Sequence, residues 1–133
     1  TWHRTGDVGH LDVSGNLWIE GRLVHIIHTA SGQVTPVPLE ISCEAVAGVA
    51  RAAAVGIGPR GTQQVVIVVE ADNASEGPAG TLLTQQIRQA VAPLSVASVW
   101  VVKKLPVDIR HNSKIDRTAL ALMMQDKLSG SWR

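Results

Sequence analysis

Phenylalanine and tyrosine are absent from this 133-residue chain, and cysteine occurs once, at Cys43. Without Phe or Tyr, aromatic content rests on four tryptophans, so a core must be assembled mainly from Val, Ile, Leu and Ala. A single cysteine excludes an internal disulfide and fits a reducing, cytoplasmic setting. No apolar run reaches the length of about 18 residues that a membrane-spanning helix requires. Charge is also scarce: charged residues make up 17% of the chain and the net charge is +1. That balance gives no electrostatic footprint for nucleic acid or an anionic membrane. With 45% hydrophobic residues the chain is globular rather than disordered. There is no internal repeat and no heptad array, and nothing at the start resembles a secretory signal. An initiator methionine is missing too, and the chain opens on Thr1-Trp2-His3-Arg4-Thr5-Gly6-Asp7. The expectation is a piece of a longer polypeptide.

What is present is a series of short apolar runs punctuated by turn residues. Val8–Asp12 and Leu17–Ile19 flank Asp12-Val13-Ser14-Gly15-Asn16, which reads as a hairpin with Gly15-Asn16 at positive φ. Leu23–Ile27 is a further apolar run, stopped by a polar loop from Thr29 to Gln33. Pro36 and Pro38 bracket a helix start, where a missing N–H costs nothing. Leu39, Cys43, Val46 and Val49 then approximate one helical face. Ala52–Ile57 and Val65–Val69 read as buried strands joined by Gly58-Pro59-Arg60-Gly61. Asp72–Gly80 reads as a loop. Leu83, Ile87, Ala90 and Val91 define an amphipathic helix ending before Pro93, and Val96–Val102 a third long strand. A last helix runs from about Arg117 to about Lys127, capped by Asp116 or Ser113. The predicted fold is α+β: a small antiparallel three-stranded sheet with helices on one face, preceded by a β-hairpin.

Three segments could carry chemistry. Asp7, after a Thr-Gly turn, could accept two hydrogen bonds from a vicinal diol such as ribose hydroxyls, or could serve as an Asx-type turn residue. Arg22, at a strand–linker junction, could donate to the same diol, to a phosphate, or to a surface ion pair. Lys114 lies in a polar loop ahead of the last helix. There a long-stemmed point charge suits a phosphate or carboxylate brought to it, or plain solvation. Other residues say less. His25 and His28, at i and i+3, point to opposite faces of a strand, so no shared metal is expected. Cys43 has no sequence-level activation and reads as a small core residue. Met123 and Met124 read as helix packing.

Together these segments resemble the end of the acyl-adenylate-forming superfamily, which includes acyl-CoA synthetases, peptide-synthetase adenylation domains and luciferases. Trp2 to Asp7 is similar to its [YW]-x-[RK]-T-G-D motif. Gly21-Arg22 through Glu40 is similar to G-R-x-[KD]-[DE]-x-I-x-x-x-G-x-x-V-x-P-x-E-[IV]-E. Asn112 to Arg117 is similar to N-G-K-[IV]-D-R. Motif order and spacing agree from Trp2 to about Leu122.

The resemblance implies a two-step reaction: a carboxylate attacks the α-phosphate of ATP to give acyl-AMP, and a nucleophile, often the thiol of coenzyme A, then displaces AMP. Residues 1–22 would close a large N-terminal adenylating domain, and residues 23–133 would form a lid that rotates between the steps about Val24. Asp7 and Arg22 would bind the ATP ribose, and Lys114 would reach the carboxylate and α-phosphate. Gly32 would line the pantetheine tunnel. The implied substrate is a fatty or β-hydroxy fatty acid. ATP and Mg2+ would be held mainly by the large domain, without which the fragment should be inactive.

Four departures from the family pattern carry weight: Val24 replaces the usual hinge Asp or Lys, His25 an acidic residue, Pro38 the first glutamate, and Ser113 the glycine before the lysine. The segment Pro106 to Asn112 resembles the branch of β-lactone synthetases of bacterial long-chain olefin biosynthesis. There the adenylated β-hydroxy acid is closed by its own hydroxyl, without CoA. Fatty-acid–CoA ligase is thus the first expectation and β-lactone synthetase the second. An aromatic-acid or amino-acid adenylating enzyme and a non-catalytic, lid-like interaction module also stay open.

Overall fold

The computed structural model describes residues 7–22, 25–72, 74–107 and 115–130, the side chains of residues 7–9, 18–22 and 129–130 excepted. Strands β1 (Asp7–Leu11) and β2 (Leu17–Arg22) form the expected antiparallel hairpin. Its turn is organised by a carboxylate as well as by a glycine. Gly15 takes a φ of 84°, and Asp12 Oδ1 accepts the backbone N–H groups of Ser14 and Asn16, each at 2.9 Å. Asx side chains stabilise turns by this kind of local acceptance.

The polar stretch from Thr29 to Gln33 is more ordered than its composition suggested. β3 (Ile27–Thr29) and β4 (Gly32–Val34) pair as a second, very tight hairpin. Gly32 has a φ of 133°, a conformation closed to most side chains. Helix α1 (Pro36–Glu44) follows, with Thr35 extended at its N-cap and proline in the first turn.

A four-stranded sheet forms the body, built from β5 (Val49–Ile57), β6 (Gln64–Ala71), β7 (Gly77–Pro78) and β8 (Ser98–Val101). Helix α2 (Thr81–Val91) precedes β8, and α3 (Arg117–Gly130) comes last. The fold is α+β, as expected, but the sheet differs from the expected one in three respects. Its order is β5-β6-β8-β7, with β7 as an additional edge strand. β5 and β6 are antiparallel across a short turn, whereas β6 and β8 run parallel. The cause is α2, which supplies the long crossover that returns the chain in the same direction. Third, helices cover both faces rather than one. Ala52, Ala54, Val65, Ile67, Val69, Val99 and Val101 pack with Cys43 of α1 and Ile87 and Val91 of α2. The alternate residues Ala53, Val55, Val66, Val68 and Trp100 pack with Leu120 and Met124 of α3. A sheet buried on both faces needs continuous apolar strands, which explains the unbroken runs in the sequence. No helix among the described residues is long and apolar enough to cross a membrane.

The β3–β4 hairpin is fastened to the sheet by backbone. The His28 carbonyl accepts the N–H groups of Gly61 (2.9 Å) and Gln63 (3.0 Å), and the His28 N–H donates to Gln63 Oε1 at 2.9 Å. Gly56 makes room for this joint: a Cβ there would lie 2.8 Å from Ile27 Cγ2 and 3.0 Å from the Gln63 carboxamide. Ile27 is fully buried and stiff at χ1, and Gln63 is tied to His28, so neither retreats easily. Gly56→Ala is therefore expected to destabilise the chain by about 1–3 kcal/mol. An unchanged thermal midpoint in that variant would contradict the packing described.

Candidate functional site

The residues picked out from sequence fall at three places. Asp7 and Arg22 are direct partners in the β1–β2 register, so two positions separated in sequence face each other across the ribbon. Gly32 opens β4 at the second hairpin, with no atom within 4 Å of where its Cβ would be. Positive φ, not crowding, therefore demands glycine at that position. Lys114, Ser113 and Val24 lie outside the described residues.

The flanks of the lysine segment are described, and they are held firmly. On entry, the Val102 N–H donates to the Val69 carbonyl at 2.9 Å, and the N–H of buried Leu105 donates to Glu70 Oε2 at 2.8 Å. The Lys103 N–H donates to Glu76 Oε2 at 2.9 Å. On exit, Ile115 bridges Val107 in antiparallel fashion, and the Asp116 N–H donates to the Pro106 carbonyl at 2.9 Å. Val107 and Ile115, the described residues on either side of the lysine segment, are thus paired. Asp116 then caps α3, accepting the Ala119 N–H at 3.0 Å on Oδ1. Between the two expected caps, Asp116 fills the role.

One residue later, Arg117 meets Glu40 of α1. Its Nε lies 2.9 Å from Glu40 Oε2, and its Nη2 donates to Glu40 Oε1, completing a two-pronged ion pair. Glu40 Oε2 also accepts the Ala54 N–H at 2.9 Å, and Glu44 Oε2 accepts that of Ala52 at 3.1 Å. β5 is an edge strand, so α1 uses two glutamates one turn apart to cover its unpaired N–H groups. Glu40 is buried, at 6% exposure. Desolvating a carboxylate costs several kcal/mol, so its three donors are what make the site tolerable. A groove of about 220 Å3 lined by His25, Gln63, Arg117 and Gln125 runs past the arginine.

Sequence reasoning noted Glu40 and Arg117 only as motif matches and missed their contact. A usable signal was there. Glu40 falls one turn before Cys43 on the buried face of α1, where a carboxylate requires a cation.

Cys43, on the inner face of α1, is fully buried. Burial, reinforced by the nearby Glu40 and Glu44 carboxylates, pushes its thiol up from about 9 to about 11. The folded protein should therefore resist thiol-directed reagents at pH 8 and react fully once unfolded, a contrast that a colorimetric thiol assay measures. The raised value belongs to the folded state, so its proton is held more tightly there. Its contribution to stability is present below pH 9 and is lost as pH rises from about 9 towards about 11. Met124 is buried and Met123 partly so against the α3 side of the sheet, as packing residues. Among the described residues no group of three His, Cys, Asp or Glu is clustered closely enough to hold a metal ion.

No family model matches the chain. Individual proteins do. The chain is 39% identical over 128 residues to an olefin β-lactone synthetase of Stenotrophomonas maltophilia strain K279a, a match covering 95% of this chain and 23% of that protein. It is 37% identical over 125 residues to the enzyme of the same name from Xanthomonas campestris pv. campestris, covering 90% of the chain and 22% of the relative. Among solved structures, the Mycobacterium tuberculosis fatty acyl CoA synthetase superposes with a TM-score of 0.68 at 27% identity, covering 95% of this chain and 25% of that one. The chain therefore spans about a quarter of the length of the proteins it matches. Over nearly its whole length the chain is thus similar, in sequence and in fold, to acyl-adenylate-forming ligases, and it corresponds to a C-terminal fragment of them.

Proposed function

We propose that this chain works as the C-terminal part of an ATP-dependent enzyme that adenylates a fatty or β-hydroxy fatty acid in the cytoplasm. Residues 1–22 end the large domain, and residues 23–133 form a lid that turns on it about Val24. In the first step the acid's carboxylate oxygen bonds to the α-phosphorus of ATP and the bond to pyrophosphate breaks. Two anions meet there, and the Lys114 ammonium stabilises the charge that accumulates between them. Asp7 and Arg22 hold the ribose hydroxyls. ATP, with Mg2+, is bound mainly by the large domain.

The observation that carries this reading is the anchoring of the lysine segment. A flexible lysine stabilises a transition state well only if its loop is pre-positioned, because ordering it during the reaction would cost entropy. The bridge between Val107 and Ile115 and the Asp116 cap supply such ordering at both flanks.

For the second step, the 39% identity to an olefin β-lactone synthetase favours closure of the acyl-adenylate by the substrate's own β-hydroxyl, which expels AMP. The second reading is CoA thioester formation, with Gly32 lining the pantetheine path; it is favoured by the likeness to a fatty acyl CoA synthetase. The test is to incubate the full-length polypeptide with ATP and a β-hydroxy fatty acid, with and without CoA. A lactone formed without CoA supports the first reading, and a thioester with strict CoA dependence supports the second. Absence of pyrophosphate release with any acid would remove both.

A further inference from the structure

We infer that Glu40 and Arg117 are positioning residues for the adenylation step, acting on Lys114 through the start of α3; this rests on the function proposed above. The argument begins with what Glu40 joins. Its carboxylate accepts from the Ala54 N–H of edge strand β5 and from both Arg117 donors, so one buried group ties α1, β5 and the first residue of α3 together. Arg117 is three residues beyond Lys114 and one beyond the Asp116 cap.

Beside the pair, the contacts of α3 with the sheet include the apolar ones of Leu120 and Met124. Apolar contacts are non-directional and tolerate sliding. A guanidinium fork on a carboxylate fixes both distance and plane. The fork thus fixes the register of α3's first turn against β5. Through the bridge of Ile115 to Val107 it also fixes the exit point of the segment that carries the lysine. An error of about 1 Å in a reacting group can cost about 100-fold in rate, so a register error of that size at the anchor would be felt in the chemistry. The pair's seclusion fits this role: the side chains of Glu40 and Arg117 are 7% and 18% exposed, so the contact is little weakened by water or salt.

The predicted signature is selective. Lys114 matters where the carboxylate meets the α-phosphate, and a preformed acyl-adenylate no longer contains that encounter. A positioning role therefore damages adenylation and spares the consumption of acyl-adenylate, whereas a general loss of structure damages both. Two mild variants of the full-length polypeptide keep the fold testable. Glu40→Gln keeps an acceptor for the Ala54 N–H, and Arg117→Lys keeps the charge but loses the fork. ATP–pyrophosphate exchange should fall about 10- to 100-fold in each, mostly in kcat rather than in KM for ATP. Turnover of synthetic acyl-adenylate should stay within about twofold of wild type, a difference of under about 0.5 kcal/mol. Equal losses in both half-reactions overturn the inference, as does wild-type exchange in both variants. Lys114→Ala, run in parallel, separates the two levels. If it retains exchange, the functional reading fails and the inference falls with it. If it loses exchange while Glu40→Gln and Arg117→Lys do not, only the inference fails.

Discussion

Replacing Lys114 with alanine in the full-length polypeptide should lower ATP–pyrophosphate exchange by about 100-fold or more, equivalent to about 2.7 kcal/mol of transition-state stabilisation. The figure follows from the proposed role. Removing one pre-positioned donor from a site of developing charge typically costs this much, because nothing else in a water-poor site replaces it. The fold should be untouched, since the described anchors lie on backbone and side chains on either side of the lysine and none uses its ammonium. Circular dichroism and the denaturation midpoint should match wild type. Full exchange activity in the alanine variant would falsify the assignment of Lys114.

Replacing Arg117 with methionine should cost about 3 kcal/mol of stability, measured by urea unfolding of the 133-residue chain. Methionine roughly preserves the stem's volume, so the loss reports the charge. Burial decides which partner is worse to lose. The carboxylate left behind by Arg117→Met is 7% exposed, whereas the guanidinium left behind by Glu40→Gln is 18% exposed and can turn towards water. Arg117→Met is accordingly the more damaging substitution, and the double variant Glu40→Gln/Arg117→Met should regain part of the loss by removing the stranded charge. Since a domain of this size is stable by only about 5–15 kcal/mol, the single variant sacrifices a large share. A midpoint unchanged in Arg117→Met would mean that the pair contributes little.

Much of the fold was legible because burial writes itself into sequence as periodicity. The apolar runs around Ala52–Ile57 and Val65–Val69 became β5 and β6, and the Leu83, Ile87, Val91 spacing became α2. What escaped were elements defined by partners rather than by composition. β4 begins on a glycine, and β7 is a Gly-Pro pair at a sheet edge, so neither carries an alternating pattern. Proline is tolerated in β7 because it lies on the sheet's edge. The parallel pairing of β6 with β8 was hidden for a different reason. Strand propensity carries no direction, and only the intervening helix α2 encodes it.

The candidate site divides in the same way. Motif order brought out Asp7, Arg22 and Lys114 as residue types suited to a nucleotide and a carboxylate, and the register then paired Asp7 with Arg22. The contact between Glu40 and Arg117 spans 77 positions of sequence, and helical periodicity reports only which face is buried, not what it meets. The four departures from the family pattern include Pro38, which the structure accommodates in the first turn of α1, where no intrahelical donor is lost. Glu40, the second glutamate of that motif, makes contacts to both β5 and Arg117.

Trp100 has a consequence of its own. It is 6% exposed, sits among Val55, Leu120 and Met124, and has the Lys127 ammonium 5.8 Å from its ring centroid. Its indole is thus sandwiched between β8 and the helix that carries Arg117. In a chain without tyrosine, near-ultraviolet absorption and emission come from indoles alone. Nature has in effect labelled this interface: any lifting of α3 from the sheet lets solvent reach one chromophore and shifts its emission to the red.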